Sequence, residues 1–181
     1  MMFSTQTRNL RNGNVLTLRC ALVEDAAMTL DYLRLVSGET DNLTFRPEEF
    51  NTTLERQSQV IEEWGGRGGL YLLGLVDGEL ASVLTFEPRS KSRTAHAGEF
   101  GLTVRQSFWG LGIATEMVQA LIDWAHGTGR IRKIDLHVRT DNDAAIAVYK
   151  KLGFQNEGLI TRGMLIDGVF YDFYHMGLHI E

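Results

Sequence analysis

The 181 residues suffice for one substantial hydrophobic core and fall short of two full domains. With 44% hydrophobic and 23% charged residues, the composition is that of an ordinary globular chain and excludes general disorder. Lys and Arg total 18 against 23 Asp and Glu, a formal net charge of -5 that repels nucleic-acid phosphates and excludes a basic nucleic-acid-binding module.

Cys20 is the only cysteine, so an intrachain disulfide is impossible and a reducing, cytoplasmic setting is expected. No base stands beside it, and it reads as a small core residue rather than a nucleophile. No apolar run approaches the ~20 residues that span a bilayer, so no membrane association is expected. Residues 1–13 are polar and lack the apolar segment of a secretory signal; they are expected to fray at the start of a single domain covering 1–181.

Val15 to Arg19 alternate loosely and predict a first strand. Leu22, Ala26, Leu30 and Leu33 fall at helical spacing, and Ser37-Gly38 stops that helix. A second helix is predicted from Pro47, which suits a first helical turn, through Glu48 and Glu49 to about Trp64. Leu70–Val76 and Leu80–Phe86 flank Asp77-Gly78, a strong hairpin signal, and Asp167-Gly168 repeats it between Leu159–Ile166 and Val169–Ile180. Ala95 to Val104 reads as a strand. Ala114, Met117, Val118, Leu121, Ile122 and Ala125 then form one apolar helical stripe, ended by Gly127. Ile134, Leu136 and Val138 alternate as a strand, and Asp141 or Asn142 caps a short helix that Gly153 ends. Parallel pairing of the strands on either side of the middle helix follows.

Trp109-Gly110-Leu111-Gly112-Ile113-Ala114 stands directly after a strand and directly before an amphipathic helix. A helix start offers unpaired backbone N–H groups and a partial positive charge, and glycines let a phosphate approach them. By itself the turn is equally consistent with close strand–helix packing. Thr115 stands where a dinucleotide fingerprint needs its last glycine, and no lysine and hydroxyl follow as a P-loop requires. The second pattern, Asn142 to Phe154, reads locally as a capped helix with Tyr149 on its apolar face.

The two patterns together resemble the GCN5-related N-acetyltransferases (GNAT). The likeness centres on Glu99 to Phe154, and the flanking elements fit the fold across most of the chain. The family signature Arg/Gln-x-x-Gly-x-Gly/Ala is met from Trp109 to Ala114, with Trp109 as a departure at the first place. The block Asn142…Tyr149-Lys150-Lys151-Leu152-Gly153-Phe154 matches the second hallmark. This resemblance implies an α/β fold with a mixed sheet of about 6–7 strands, splayed at the cofactor site and flanked by about four helices.

The resemblance further implies acetyl-CoA as co-substrate, without a metal. Main-chain groups of Leu102, Thr103 and Val104 would align its pantetheine arm as an added strand. Backbone N–H groups from Trp109 through Gly110, Leu111, Gly112, Ile113, Ala114 and Thr115 would hold the pyrophosphate. Asn142 would bond the pantetheine, and Lys151 would approach the nucleotide phosphates. A primary amine would attack the thioester directly through a tetrahedral intermediate. Alkyl amines are mostly protonated at neutral pH, so a base must act. Glu99 resembles the family's base, direct or through water, with His96 as a further candidate. Tyr149 resembles the acid that protonates the coenzyme A thiolate.

Acceptor specificity is expected from the link Ser37–Phe45 and the hairpin Arg162–Phe170, where Glu39 and Asp41 offer charges to an ammonium group. Small amines, amino acids and peptides all fit the pattern. Acetylation of a protein amino terminus, and a non-catalytic acetyl-CoA sensor, remain as alternatives. The carboxy-terminal hairpin offers an edge for a homodimer, on family analogy.

Overall fold

The computed structural model describes residues 3–49 and 51–181. Eight strands form one sheet in the order β1-β2-β3-β4-β5-β6-β8-β7. They are β1 (Gln6–Asn9), β2 (Val15–Cys20), β3 (Leu70–Val76), β4 (Glu79–Pro88), β5 (Ala97–Val104), β6 (Lys133–Arg139), β7 (Gln155–Ile166) and β8 (Val169–His179). Four helices accompany them: α1 (Ala26–Ser37), α2 (Leu54–Gly66), α3 (Ile113–Thr128) and α4 (Asp143–Lys151).

Strand alternation divides the apolar side chains between two cores. Leu72, Leu84, Phe100 and Leu136 join α3 and α4 through Met117, Leu121 and Tyr149 on one face. Tyr71, Leu73 and Val83 join α1 and α2 through Tyr32, Val36 and Ile61 on the other. A period-two strand with both faces covered must be apolar throughout, which explains the continuous run in β3. Cys20 packs against the first core, and burial pushes its thiol up, consistent with an inert residue.

Both two-residue hairpins form as predicted. Asp77 and Gly78 (φ 49 and 89), like Asp167 and Gly168 (φ 49 and 83), occupy the left-handed region that this tight turn demands. Several boundaries differ from the sequence expectation. Residues 6–9 do not fray, because β1 pairs antiparallel with β2 from Gln6↔Leu18 to Asn9↔Val15. Pro47–Glu49 make only a short 3-10 turn, and α2 starts at Leu54, where Thr53 Oγ1 accepts from Arg56 N at 3.2 Å. Gly127 lies inside α3, whose stop is Gly129 (φ 61). A single interior glycine costs only about 1 kcal/mol, too little to end a helix held by a buried stripe.

One feature of the sheet positions the site. Parallel pairing of β5 with β6 covers only Ala97↔Lys133, Gly98↔Ile134 and Glu99↔Asp135. Beyond Glu99 the strands part, while β4 stays paired to β5 as far as Ser82↔Val104 and β8 stays paired to β6 as far as Arg139↔Phe173. The chain therefore opens a slit between two otherwise secured strands. Among the described residues, no helix is long and apolar enough to cross a membrane.

Candidate active site

The slit belongs to a cavity of about 1360 Å³ that reaches both faces of the sheet. Alternation along β5 sorts its walls. Phe100 points to α4, with its ring edge-on to Tyr149 at 5.7 Å. Thr103 points to α1, where its Oγ1 lies 2.9 Å from the Tyr32 hydroxyl. Glu99, two pleats from Thr103, shares that second face. Its Oε1 lies 2.8 Å from Nδ1 of His137 on β6. The carboxylate thus stands on one side of the sheet and Tyr149 on the other, with the slit between them.

Tyr149 is buried, and burial pushes its phenol up to about 12. It therefore keeps its proton at neutral pH. Asn142 caps α4, its Oδ1 accepting from Ala145 N at 3.2 Å, which leaves the side-chain amide N–H groups for a partner in the cavity.

The glycine turn lies at the open end of the slit. Gly110 (φ 78) and Gly112 (φ 88) adopt left-handed conformations, and a Cβ at either would meet nothing within 4 Å. Gly112 precedes α3 without a side-chain cap. Among the described residues, the backbone N–H groups from Gly110 to Thr115 find no protein acceptor. Six such donors, with the helix dipole behind them, form an open anion cradle. Trp109, the departure from the family pattern, is 52% exposed, and its indole N–H donates to the Val104 carbonyl at 2.8 Å. That bond ties the turn to the end of β5.

Leu102, Thr103, Val104, Trp109, Gly110, Gly112, Ile113, Ala114, Thr115, Asn142, Tyr149 and Glu99 all line the cavity. Leu111 and Lys151 do not; Lys151 is exposed at the end of α4. His96 is also outside. It precedes β5, is exposed, and its carbonyl accepts from Arg132 N and Lys133 N. Glu39 and Asp41 are likewise absent from the walls. The Glu39 carboxylate accepts from Gln106 N at 2.7 Å and pairs with Arg105, so it fastens the link after α1 to the turn after β5 instead of waiting for an ammonium. Asp41 contributes its carbonyl to Arg139 Nη1 at 2.9 Å.

His137, which lines the cavity beside Glu99, is the candidate residue that sequence reasoning missed. Its signal was present in the alternation of Ile134, Leu136 and Val138, which leaves His137 on the face of Glu99 once the two strands run parallel. Behind it, His137 stacks on His175 at 5.0 Å, and His175 Nε2 lies 3.4 Å from buried Asp135.

The sequence pattern of the acetyltransferase (GNAT) family matches residues 38–154. The chain belongs to the GNAT family. The L-amino acid N-acetyltransferase AaaT of Escherichia coli (strain K12) is 30% identical over 136 residues, covering 72% of this chain and 84% of that one. A GNAT acetyltransferase from Streptococcus pneumoniae superposes with a TM-score of 0.88 at 29% identity, covering 92% of this chain and 99% of that one. The acetyltransferase yncA of Salmonella typhimurium, solved with its cofactor acetyl-CoA, superposes with a TM-score of 0.81 at 19% identity over 92% of this chain and 94% of that one. Among the described residues the GNAT fold thus has eight strands, against the 6–7 expected, and the four α-helices expected. This GNAT chain is an acetyl-CoA-dependent N-acetyltransferase.

Proposed function

We propose that the enzyme acetylates a primary amine of a small molecule, amino acid or peptide, with Glu99 as base and Tyr149 as acid. The observation that carries this reading is the slit itself, where a carboxylate and a protonated buried phenol flank one gap from opposite faces. Acetyl-CoA supplies an activated thioester. The free edge of β5 at Leu102, Thr103 and Val104 suits the pantetheine arm, Asn142 suits one of its amides, and the donors from Gly110 to Thr115 suit the pyrophosphate, whereas the expected Trp109 N–H is spent on the Gln106 carbonyl at 3.1 Å. The unfilled space around Gly110 and Gly112 supports that fit.

An alkylammonium group loses two protons overall as its nitrogen–carbon bond forms and the carbon–sulfur bond breaks. Glu99 takes one, directly or through water, and passes it to solvent, with His137 beside it as the next proton carrier. The second, leaving the nitrogen of the tetrahedral intermediate for solvent, is balanced by the proton that Tyr149 gives to the departing sulfur, and solvent then restores the phenol. Lys151 lies outside the cavity walls and carries less of the cofactor than the turn does, to which Leu111 contributes its backbone N–H rather than its side chain. The Glu39 carboxylate is taken by Gln106 N and Arg105, and Asp41 lies outside the cavity walls, so neither is assigned to the acceptor.

Purified enzyme with acetyl-CoA and a panel of primary amines is expected to release free thiol, read colourimetrically. Glu99→Gln should flatten the acidic limb of the pH–rate profile while acetyl-CoA binding is kept. An unchanged profile refutes Glu99 as base. Tight acetyl-CoA binding with no turnover of any acceptor would establish the sensor reading instead.

A further inference from the structure

The segment leaving β4 carries a cation whose bonding is incomplete. The Arg89 backbone N–H donates to the Ala97 carbonyl at 2.9 Å, which fixes the residue beside the start of β5. Its Nη2 lies 2.8 Å from Asp135 Oδ2; the Asp135 side chain is 1% exposed and that of Arg89 51%. A carboxylate so deeply buried requires a paired cation, and the pairing holds the guanidinium at the level of Glu99, the register partner of Asp135. Among the described residues, Nη2 is the only guanidinium nitrogen of Arg89 with a partner, and Arg89 lines the cavity.

Its neighbours have no such capacity. Arg139 spends Nε and Nη2 on Asp141 and Nη1 on the Asp41 carbonyl. Lys133 lies against Asp135 at 3.1 Å and also pairs with Glu157. Glu87, on the same wall, is matched by Arg67 at 3.3 Å. Among the described residues, the wall at Glu99 and Asp135 therefore offers a carboxylate at Glu99 and the Arg89 guanidinium with donors to spare; Arg11, which also lines the cavity, belongs to the turn between β1 and β2.

We infer that Arg89 binds a carboxylate of the acceptor, and that the acceptor is an α-amino acid whose amine faces Glu99. This rests on the acetyltransfer reading above. An α-amino acid carries both groups on one carbon, and register partners on adjacent strands stand about 4.8 Å apart, a spacing one such molecule bridges. The planar fork of a guanidinium matches a carboxylate with two parallel hydrogen bonds. A polyamine would instead bring its second cation against Arg89. A fixed cation close to the ammonium also favours its neutral, attacking form. The side chain of the acceptor would lie toward Leu33, Val36, Val60, Tyr71 and Phe173, a mainly apolar wall.

The test compares L-leucine with isopentylamine, the same molecule without its carboxylate, as acceptors for the full-length enzyme. Wild type is expected to favour leucine by roughly 10- to 100-fold in kcat/KM, the range of a charge-assisted hydrogen bond. Arg89→Gln should bring that ratio to within about 3-fold, through KM for leucine, and Arg89→Lys should keep part of the preference. Arg89→Gln also strips a partner from Asp135. If that variant fails to fold, the wild-type ratio and Arg89→Lys decide the matter. Equal use of both acceptors by wild type, or an unchanged ratio in Arg89→Gln, overturns the Arg89 assignment and leaves acetyltransfer standing. Absence of thiol release from every primary amine overturns both.

Discussion

Tyr149→Phe isolates the contribution of a single oxygen. The ring packs edge-on to Phe100 at 5.7 Å and against Phe154 at 5.9 Å, contacts that phenylalanine keeps. Among the described residues the hydroxyl has no protein partner, so its removal strands no buried donor or acceptor. Burial holds the phenol at about 12, whereas a departing thiol has a reference value near 8.5. At about 1.36 kcal/mol per tenfold, full transfer to a solvated thiolate would be uphill by about 5 kcal/mol. The phenol therefore acts first as a hydrogen-bond donor to the growing charge, and the proton follows as the sulfur loses water in the slit. A hydrogen bond to a charged group contributes about 1.5–3 kcal/mol, so kcat should fall by roughly 10- to 150-fold with acetyl-CoA affinity kept.

The same variant has a stability readout. The folded value of Tyr149 lies above that of an exposed phenol, so the folded state holds this proton more tightly. That contribution is complete below about pH 10 and is lost as pH rises toward 12. Thermal melts should show a smaller alkaline loss of Tm in Tyr149→Phe than in wild type. Thiol release at the wild-type rate by the folded variant would refute the catalytic assignment.

Two further perturbations probe the scaffold. Gly112→Ala meets no atom within 4 Å, but its φ of 88 costs a side chain about 1–2 kcal/mol and the new Cβ enters the anion cradle. KM for acetyl-CoA should rise roughly 10-fold with kcat less affected, and an unchanged KM removes the cradle from cofactor binding. Asp25 holds Arg19 through two bonds of 2.6 and 2.7 Å and accepts from Leu22 N at 2.8 Å; the Arg19 guanidinium keeps its carboxyl below the usual range. Its stabilisation is present above about pH 4 and is lost as pH falls through the lowered folded value. Asp25→Asn should lower Tm by roughly 3–10 °C near neutral pH, measured by circular dichroism, and the deficit should shrink in acid.

Local chemistry made much of this protein legible from its residues. The hairpins at Asp77-Gly78 and Asp167-Gly168, the stripe of α3, the cap at Asn142 and the glycine turn all rest on backbone preferences and short-range periodicity, which neighbouring residues dictate. Glu99 and Tyr149 were singled out by the family resemblance that those signals carry. The elements that escaped depend on partners distant in the chain. β1 is a strand because β2 pairs with it, and Gly127 stays helical because Met117, Leu121 and Ala125 are buried against the sheet. Glu39 is occupied because Arg105, distant in sequence, lies beside it.

The site shows the same division. The sequence by itself, through the family resemblance, singled out the residues proposed for acid, base and anion-binding chemistry, since those capacities reside in single side chains and in one turn. Only the tertiary structure decided where β5 and β6 part, that β8 enters between β6 and β7, that His137 comes to Glu99 and that Arg89 comes to Asp135. Strand order and the point of splay are set by the summed packing of both sheet faces, and no local stretch of sequence contains that sum.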